Sequence, residues 1–179
     1  MISMSTHYVE FLMAKRRLNI KNLVPRKDGV YTQGYYNLLN PVKYVGDPKK
    51  IIFRSSWERR FAIYCDTNER ILAWSSEPVE IPYMNPVDRE IRPYNVDFYL
   101  RLKTGESEYK EYIVEVKPSR QLKQPVAPSG RITEKRMTAY TNQMKSYLIN
   151  MSKFKAAKEY AIGRGWDFLV VTETMLFNI

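Results

Sequence analysis

Hydrophobic spacing divides this chain into an irregular beginning and a patterned remainder. A short basic helix fits residues 9–18, but Pro25, Gly29, Gly34 and Pro41 interrupt the stretch after it, so the first forty residues read as an extended arm. In the run IIFRSSWERRFAIYCD, Ser55 and Glu58 form an S-x-x-E capping box. Glu58, Phe61, Ala62 and Cys65 then fall at i, i+3, i+4 and i+7, one face of a helix running to about Asp66. The run EPVEIPYM alternates Val79, Ile81 and Tyr83 on one face, with Pro82 limiting it to a sheet edge or a strand end. Turn signals in NPVD and KTGE separate three strand-like runs at about 78–84, 94–102 and 111–117. In the second run, period-two alternation sends Val96, Phe98, Leu100 and Leu102 to the core and Asn95, Asp97 and Tyr99 to the opposite face. The stretch PSRQLKQPVAPSGR reads as a loop. Helical spacing resumes with Met137, Tyr140, Met144, Leu148 and Met151, a stripe that predicts core packing. It continues through Phe154, Ala157, Ala161 and Ile162 until Gly163 and Gly165 stop it. The apolar run WDFLVVT suits a buried strand. Helix, three strands, helix and strand make an α+β domain with a mixed central sheet.

Composition narrows what such a domain can do. A length of 179 residues suits one domain, taken as residues 41–179, preceded by a basic arm over residues 1–40. No apolar run approaches a membrane span and the start lacks a leader pattern, which predicts a soluble protein, intracellular when made, with no membrane partner. Cys65 and His7 are the sole residues of their types, which excludes an internal disulfide, a Cys/His zinc site and most His-based triads. Chemistry is left to carboxylates, Lys, Arg and Tyr, and Cys65 reads as a small core residue.

The net charge of +10 is unevenly placed. Residues 1–50 carry nine Lys/Arg against three Asp/Glu, and residues 118–164 carry ten against two, while the segment between them is slightly acidic. Basic flanks could grip a polyanion and present it to a carboxylate-rich centre. A solvated basic surface, or a tail for an acidic protein, gives the same composition. A pI near 9.6 and 14 tyrosines available for stacking favour nucleic acid.

The candidate centre is Asp97 together with Glu115 and Lys117. Glu115 and Lys117, two apart in a strand, share a face. If their strand neighbours that of Asp97, two carboxylates and an ammonium converge where a hard divalent cation can bind. Spacing alone leaves a second reading, charged decoration on the polar face of a strand. Glu58 can serve the helix cap or contact a metal or water, and both stay open here. Glu77 is a reserve ligand, although a solvated turn is the preferred reading. Lys135, Arg136, Lys145, Lys153 and Lys155 read as DNA-backbone contacts.

An acid on the first helix, an Asp on the second strand and a (D/E)xK on the third make this chain resemble the PD-(D/E)xK nuclease superfamily. Glu58, Asp97, Glu115 and Lys117 match that order, and the resemblance implies a restriction-endonuclease-like αβββαβ core. Val96 stands where the family name has Pro, a position that carries no charge. The runs NPVKYVGDPKKIIFRSSWERRF, CDTNERILAWSSEPVEIPY, EVKPS and KFKAAKEYAIGRGWDFLVVTE are similar to the head completion nucleases of T-even-type tailed phages. That likeness covers about residues 40–175, leaves the first 39 unmatched, and extends distantly to TnsA-type transposon endonucleases. It implies a Mg²⁺-dependent deoxyribonuclease, endo- or exonucleolytic, with Mn²⁺ as a substitute. Such an enzyme acts on the DNA-filled head before tail joining. Asp97 and Glu115 would bind the metal, with the Val116 backbone carbonyl and either Glu58 or Glu77 as further ligands. Lys117 would orient the attacking water or stabilise phosphoryl charge. The implied partners are the packaged DNA end and the portal or neck proteins, in the host cytoplasm during assembly and at the neck of the virion. Two other readings stand beside it: a non-catalytic neck or portal adaptor on a nuclease-like scaffold, and a DNA-processing nuclease outside assembly.

Overall fold

The structure, a computed structural model, describes residues 33–176. The helix expected at residues 9–18, His7 and most of the expected arm lie outside the described residues. In chain order the elements are β1 (Gly34–Tyr35), β2 (Ile52–Phe53), α1 (Ser56–Thr67), β3 (Ile71–Ser76), β4 (Glu80–Met84) and β5 (Ile91–Asn95). They continue with β6 (Phe98–Lys103), β7 (Tyr109–Val116), α2 (Glu134–Ile162), β8 (Asp167–Val171) and α3 (Glu173–Leu176).

The main sheet has the order β3-β6-β7-β8, antiparallel at its first two pairings and parallel at the third. The expected α+β class and mixed sheet are therefore present. The series α1, β3, β6, β7, α2, β8 is αβββαβ, the restriction-endonuclease-like order. Its first core strand, however, is not the run at 78–84. That run forms β4, which pairs with β5 as a separate hairpin inserted between the first and second core strands. The first core strand is β3, in the segment ILAWSS. Its register shifts between Ile71 and Ala73 and it buries Ser75, so it lacks the period-two alternation that marks a strand in sequence.

The run at 94–102 is also two elements. Tyr94 and Val96 pack with Ile81, Tyr83, Ile113, Ala157 and Ala161, beneath α2. Phe98 and Leu100 pack with Phe61, Ala62, Cys65, Trp74, Val114 and Val116, beneath α1. An unbroken strand would put Val96 and Phe98 on the same face. The break between β5 and β6 therefore passes the chain from one layer to the other at Asp97, the residue on which the chemistry was expected.

Helix α1 starts where the sequence places it. The Ser55 hydroxyl accepts the Glu58 N–H at 3.1 Å, while the Glu58 carboxylate accepts the Arg54 N–H at 2.7 Å and the Ser55 hydroxyl at 2.9 Å. In its last turn, the buried Asp66 accepts from the Tyr36 hydroxyl at 2.9 Å, Leu39 N at 2.6 Å and Asn40 N at 3.0 Å. The expected arm boundary at residue 40 thus falls inside a packed segment.

The Met-rich stripe is not core. Met137 and Leu148 are 41% and 44% exposed, and the buried residues of α2 are Ala157 and Ala161. A helix of 29 residues is about 43 Å long, whereas the eight-residue β7 spans about 27 Å. The first half of α2 outruns the sheet and buries none of its residues fully. Among the described residues no helix is long and apolar enough to cross a membrane.

Candidate active site

Asp97 immediately precedes β6, and the Phe98–Val114 pairing sets it beside the end of β7. Its Oδ2 accepts the Val116 N–H at 2.8 Å. Glu115, 2% exposed, has a donor on each oxygen: Lys117 Nζ lies 2.7 Å from Oε1, and the Tyr94 hydroxyl donates to Oε2 at 2.5 Å. The two carboxylates and the ammonium expected to converge do so, and burial rules out plain surface decoration for Glu115.

Burial and like charge shape the ionisation of this cluster. Removal from water, followed by the charge of Glu115, pushes the Asp97 carboxyl well above the usual carboxylate range. Lys117 and the Val116 N–H oppose that rise only in part. Burial pulls the Lys117 ammonium down, but Asp97 and Glu115 outweigh it and its affinity for a proton ends above normal. With both acids ionised, the site has more negative charge than one lysine balances.

A second cation faces it from α2. Lys153 Nζ lies 5.2 Å from the centre of the Tyr94 ring and 5.4 Å from that of Tyr83. Burial first, then Lys117, lower its affinity for a proton, against the pull of Glu115 and Asp97. Lys153 is half-buried, so the structure sets it in the site interior rather than on an outer DNA-contacting face. Lys135, Arg136, Lys145 and Lys155 are exposed, and Arg136 already bonds the carbonyls of Arg131 at 2.6 Å and Ser129 at 3.1 Å.

Both Glu58 oxygens are committed to the α1 cap. Its charge still reaches the centre: burial raises its carboxyl, Lys117 lowers it, and Glu58 in turn raises Asp97. Glu77 is paired with Arg54, its carboxylate 2.7 Å from Arg54 Nε. Its backbone matters more. At φ +45°, a conformation costly outside glycine, its N–H donates to the Asp97 carbonyl at 2.9 Å and pins the layer-switching break.

Among the described residues no three His, Cys, Asp or Glu side chains gather as a ready-made cage. Two close carboxylates with unbalanced charge instead fit a Mg²⁺-type ion, which keeps several waters and takes one or two carboxylates plus substrate oxygens. Tyr94 and Tyr83 carry no signal as site residues in the sequence, and Lys153, read there as a DNA-backbone contact, carries none that sets it beside Asp97 and Glu115. They come from the inserted hairpin and from α2, and no local spacing links them to Asp97. A cavity of about 930 Å³ is lined by Tyr99, Tyr160 and Trp166 among others, and of the expected site residues only Glu77 lines it.

Comparison with known proteins gives the family. The TnsA-like endonuclease N-terminal family matches residues 68–173, a span that includes Asp97, Glu115, Lys117 and Lys153 but not Glu58. The head completion nuclease of Enterobacteria phage T4 is 36% identical over 134 residues, covering 75% of this chain and 86% of that protein. No solved structure matches the chain. The span matched by the family is more than half of the chain and holds the core from β3 onward, and with the likeness to the T4 head completion nuclease beside it, the chain belongs to the TnsA-like endonuclease family.

Proposed function

We propose that this protein is a divalent-metal-dependent deoxyribonuclease that trims or nicks DNA at the filled phage head before tail joining. The observation that carries the chemistry is the meeting of Asp97, Glu115 and Lys117 at adjacent strand ends, held by the Val116 N–H and the Tyr94 hydroxyl. The assembly role rests on the name of the T4 relative. It would bring the protein to the packaged DNA end and the portal or neck proteins, in the host cytoplasm and then at the neck of the virion.

Asp97 and Glu115 would hold Mg²⁺ or Mn²⁺, with the Val116 carbonyl as a further oxygen. The bound ion supplies polarisation of the scissile phosphate and a more acidic water. Tyr94 fixes the Glu115 carboxylate, so the site is organised before substrate arrives. Lys117 orients the attacking water or neutralises charge growing on the phosphoryl oxygens. Lys153, opposite it, offers a second ammonium to the phosphodiester and takes no part in the cap or sheet bonding.

The test is to incubate the full chain with single-stranded, double-stranded and branched DNA in Mg²⁺ or Mn²⁺. Cutting is expected with either metal, abolished by EDTA and by Asp97→Ala or Lys117→Ala in variants whose circular dichroism is unchanged. Absence of cutting on all three substrates in both metals would overturn the enzyme and leave a scaffold or adaptor role. For assembly, a phage carrying Asp97→Ala is expected to accumulate filled heads without tails; normal virion yield would remove cleavage from morphogenesis.

A further inference from the structure

We propose that the groove between the 118–125 loop and the outer face of α2 is a binding site for an unpaired DNA strand continuing from the scissile phosphate. The inference rests on the nuclease reading and adds the form of its substrate.

The groove encloses about 700 Å³ and begins at Lys117, so it is continuous with the charge cluster. Its cations are Lys117, Arg120 and Lys123, and no Asp or Glu lines it. That sign suits a phosphate backbone. Its other wall is polar: Asn142 and Gln143 from the outrunning half of α2, facing Gln124 from the loop, all exposed. Amide side chains of this kind can bond the Watson–Crick edges of unpaired bases, which a duplex keeps engaged in its own pairing. Tyr147, half-buried between these amides, gives a ring on which an unstacked base can lie.

The walls are held in place. Ser119 N and its hydroxyl bond the Glu173 carboxylate at 2.8 and 2.6 Å, anchoring the loop to α3, and Asn150 Nδ2 meets Gln121 Oε1 at 3.5 Å between loop and helix. A slot of this volume between fixed walls is of small-ligand size and takes one strand, not two. The mismatch between α2 and the sheet gains a purpose here, because the exposed half of the helix is one side of the slot.

The test measures fluorescence anisotropy of the full chain in EDTA, with a labelled single-stranded oligonucleotide and a covalently closed dumbbell duplex. Lys123→Glu and, separately, Tyr147→Leu are compared with the wild type at several salt concentrations, with thermal melting as the folding control. The expected result is a loss of single-strand affinity of about tenfold for Lys123→Glu, with its salt slope reduced by about one, while dumbbell affinity stays within about twofold. In Mg²⁺ the wild type is expected to cut overhang-bearing DNA faster than the dumbbell, and the variants to lose that preference. Unchanged single-strand binding, or equal losses on both ligands, would overturn the groove. A wild type that cuts no DNA but shows the differential binding would sink the nuclease reading and leave the groove standing.

Discussion

Lys153 shows how burial changes what a charged residue is for. In the sequence it is one of several lysines on a basic helix. In the structure its ammonium sits over two tyrosine rings, within the field of Glu115, Asp97 and Lys117. Among the described residues no carboxylate comes within ion-pair distance of it, so its charge remains available to an incoming phosphate. Lys153→Met keeps the apolar stem against Tyr83 and Tyr94 and removes the charge. Cleavage is expected to fall by about 10- to 100-fold with melting temperature held, consistent with loss of one electrostatic contact of about 1.4–2.7 kcal/mol. Lys153→Glu adds a carboxylate beside an already over-charged cluster and is expected to lower the melting temperature as well. A Lys153→Met enzyme with wild-type turnover would return this residue to ordinary packing.

At the level of elements, α1 joins fold and chemistry through one residue. Glu58 satisfies the Arg54 N–H and the Ser55 hydroxyl while its charge is felt by Asp97 and Lys117. Glu58→Gln retains a carbonyl acceptor for the Arg54 N–H, removes the charge, and turns the oxygen that accepts the Ser55 hydroxyl into an NH2 donor that the same hydroxyl can accept. We expect metal titrations of cleavage to show severalfold weaker activation by Mg²⁺, with the rate at saturating metal nearly unchanged. Loss of rate at saturating metal would mean that Glu58 contacts the reacting groups directly. The hairpin β4–β5 has a comparable double role, since it supplies Tyr83 and Tyr94 to the site and Ile81 to the core under α2.

For the whole molecule, the half-buried acids Asp97 and Glu58 make stability depend on pH. In the native protein Asp97 and, less strongly, Glu58 hold their protons above the ordinary carboxylate range, first because of burial. Between that range and the raised native values the folded state binds more protons than the unfolded one, so stability declines as pH rises. In EDTA, the melting temperature is expected to be higher at about pH 5 than at about pH 8 through this contribution, and Asp97→Asn should flatten the difference. Mg²⁺ or Mn²⁺ should restore the loss at the higher pH, because a cation favours the ionised carboxyls. Melting curves with the same pH dependence in wild type and Asp97→Asn would contradict the account.

Much of this is legible in local spacing. Ser55 and Glu58 mark the start of α1 because capping needs a hydroxyl and a carboxylate three residues apart. Glu115 and Lys117 share a face because strand side chains alternate, and one cysteine and one histidine remove whole classes of chemistry. Spacing does not carry anything that depends on which elements meet. Strand β3 is hidden because a register shift and a buried serine erase alternation. The Met-rich stripe keeps its helical period but loses its core because α2 is longer than the sheet beneath it. By alternation alone Asp97 is a residue on the outer face of one strand; tertiary structure makes it the point where the chain crosses between two layers. Only that crossing brings it against the Val116 N–H, and only the inserted hairpin and the far half of α2 add Tyr94 and Lys153. The sequence by itself determined the charges and the local elements that bear them. Their burial, and with it their strength, was decided by packing.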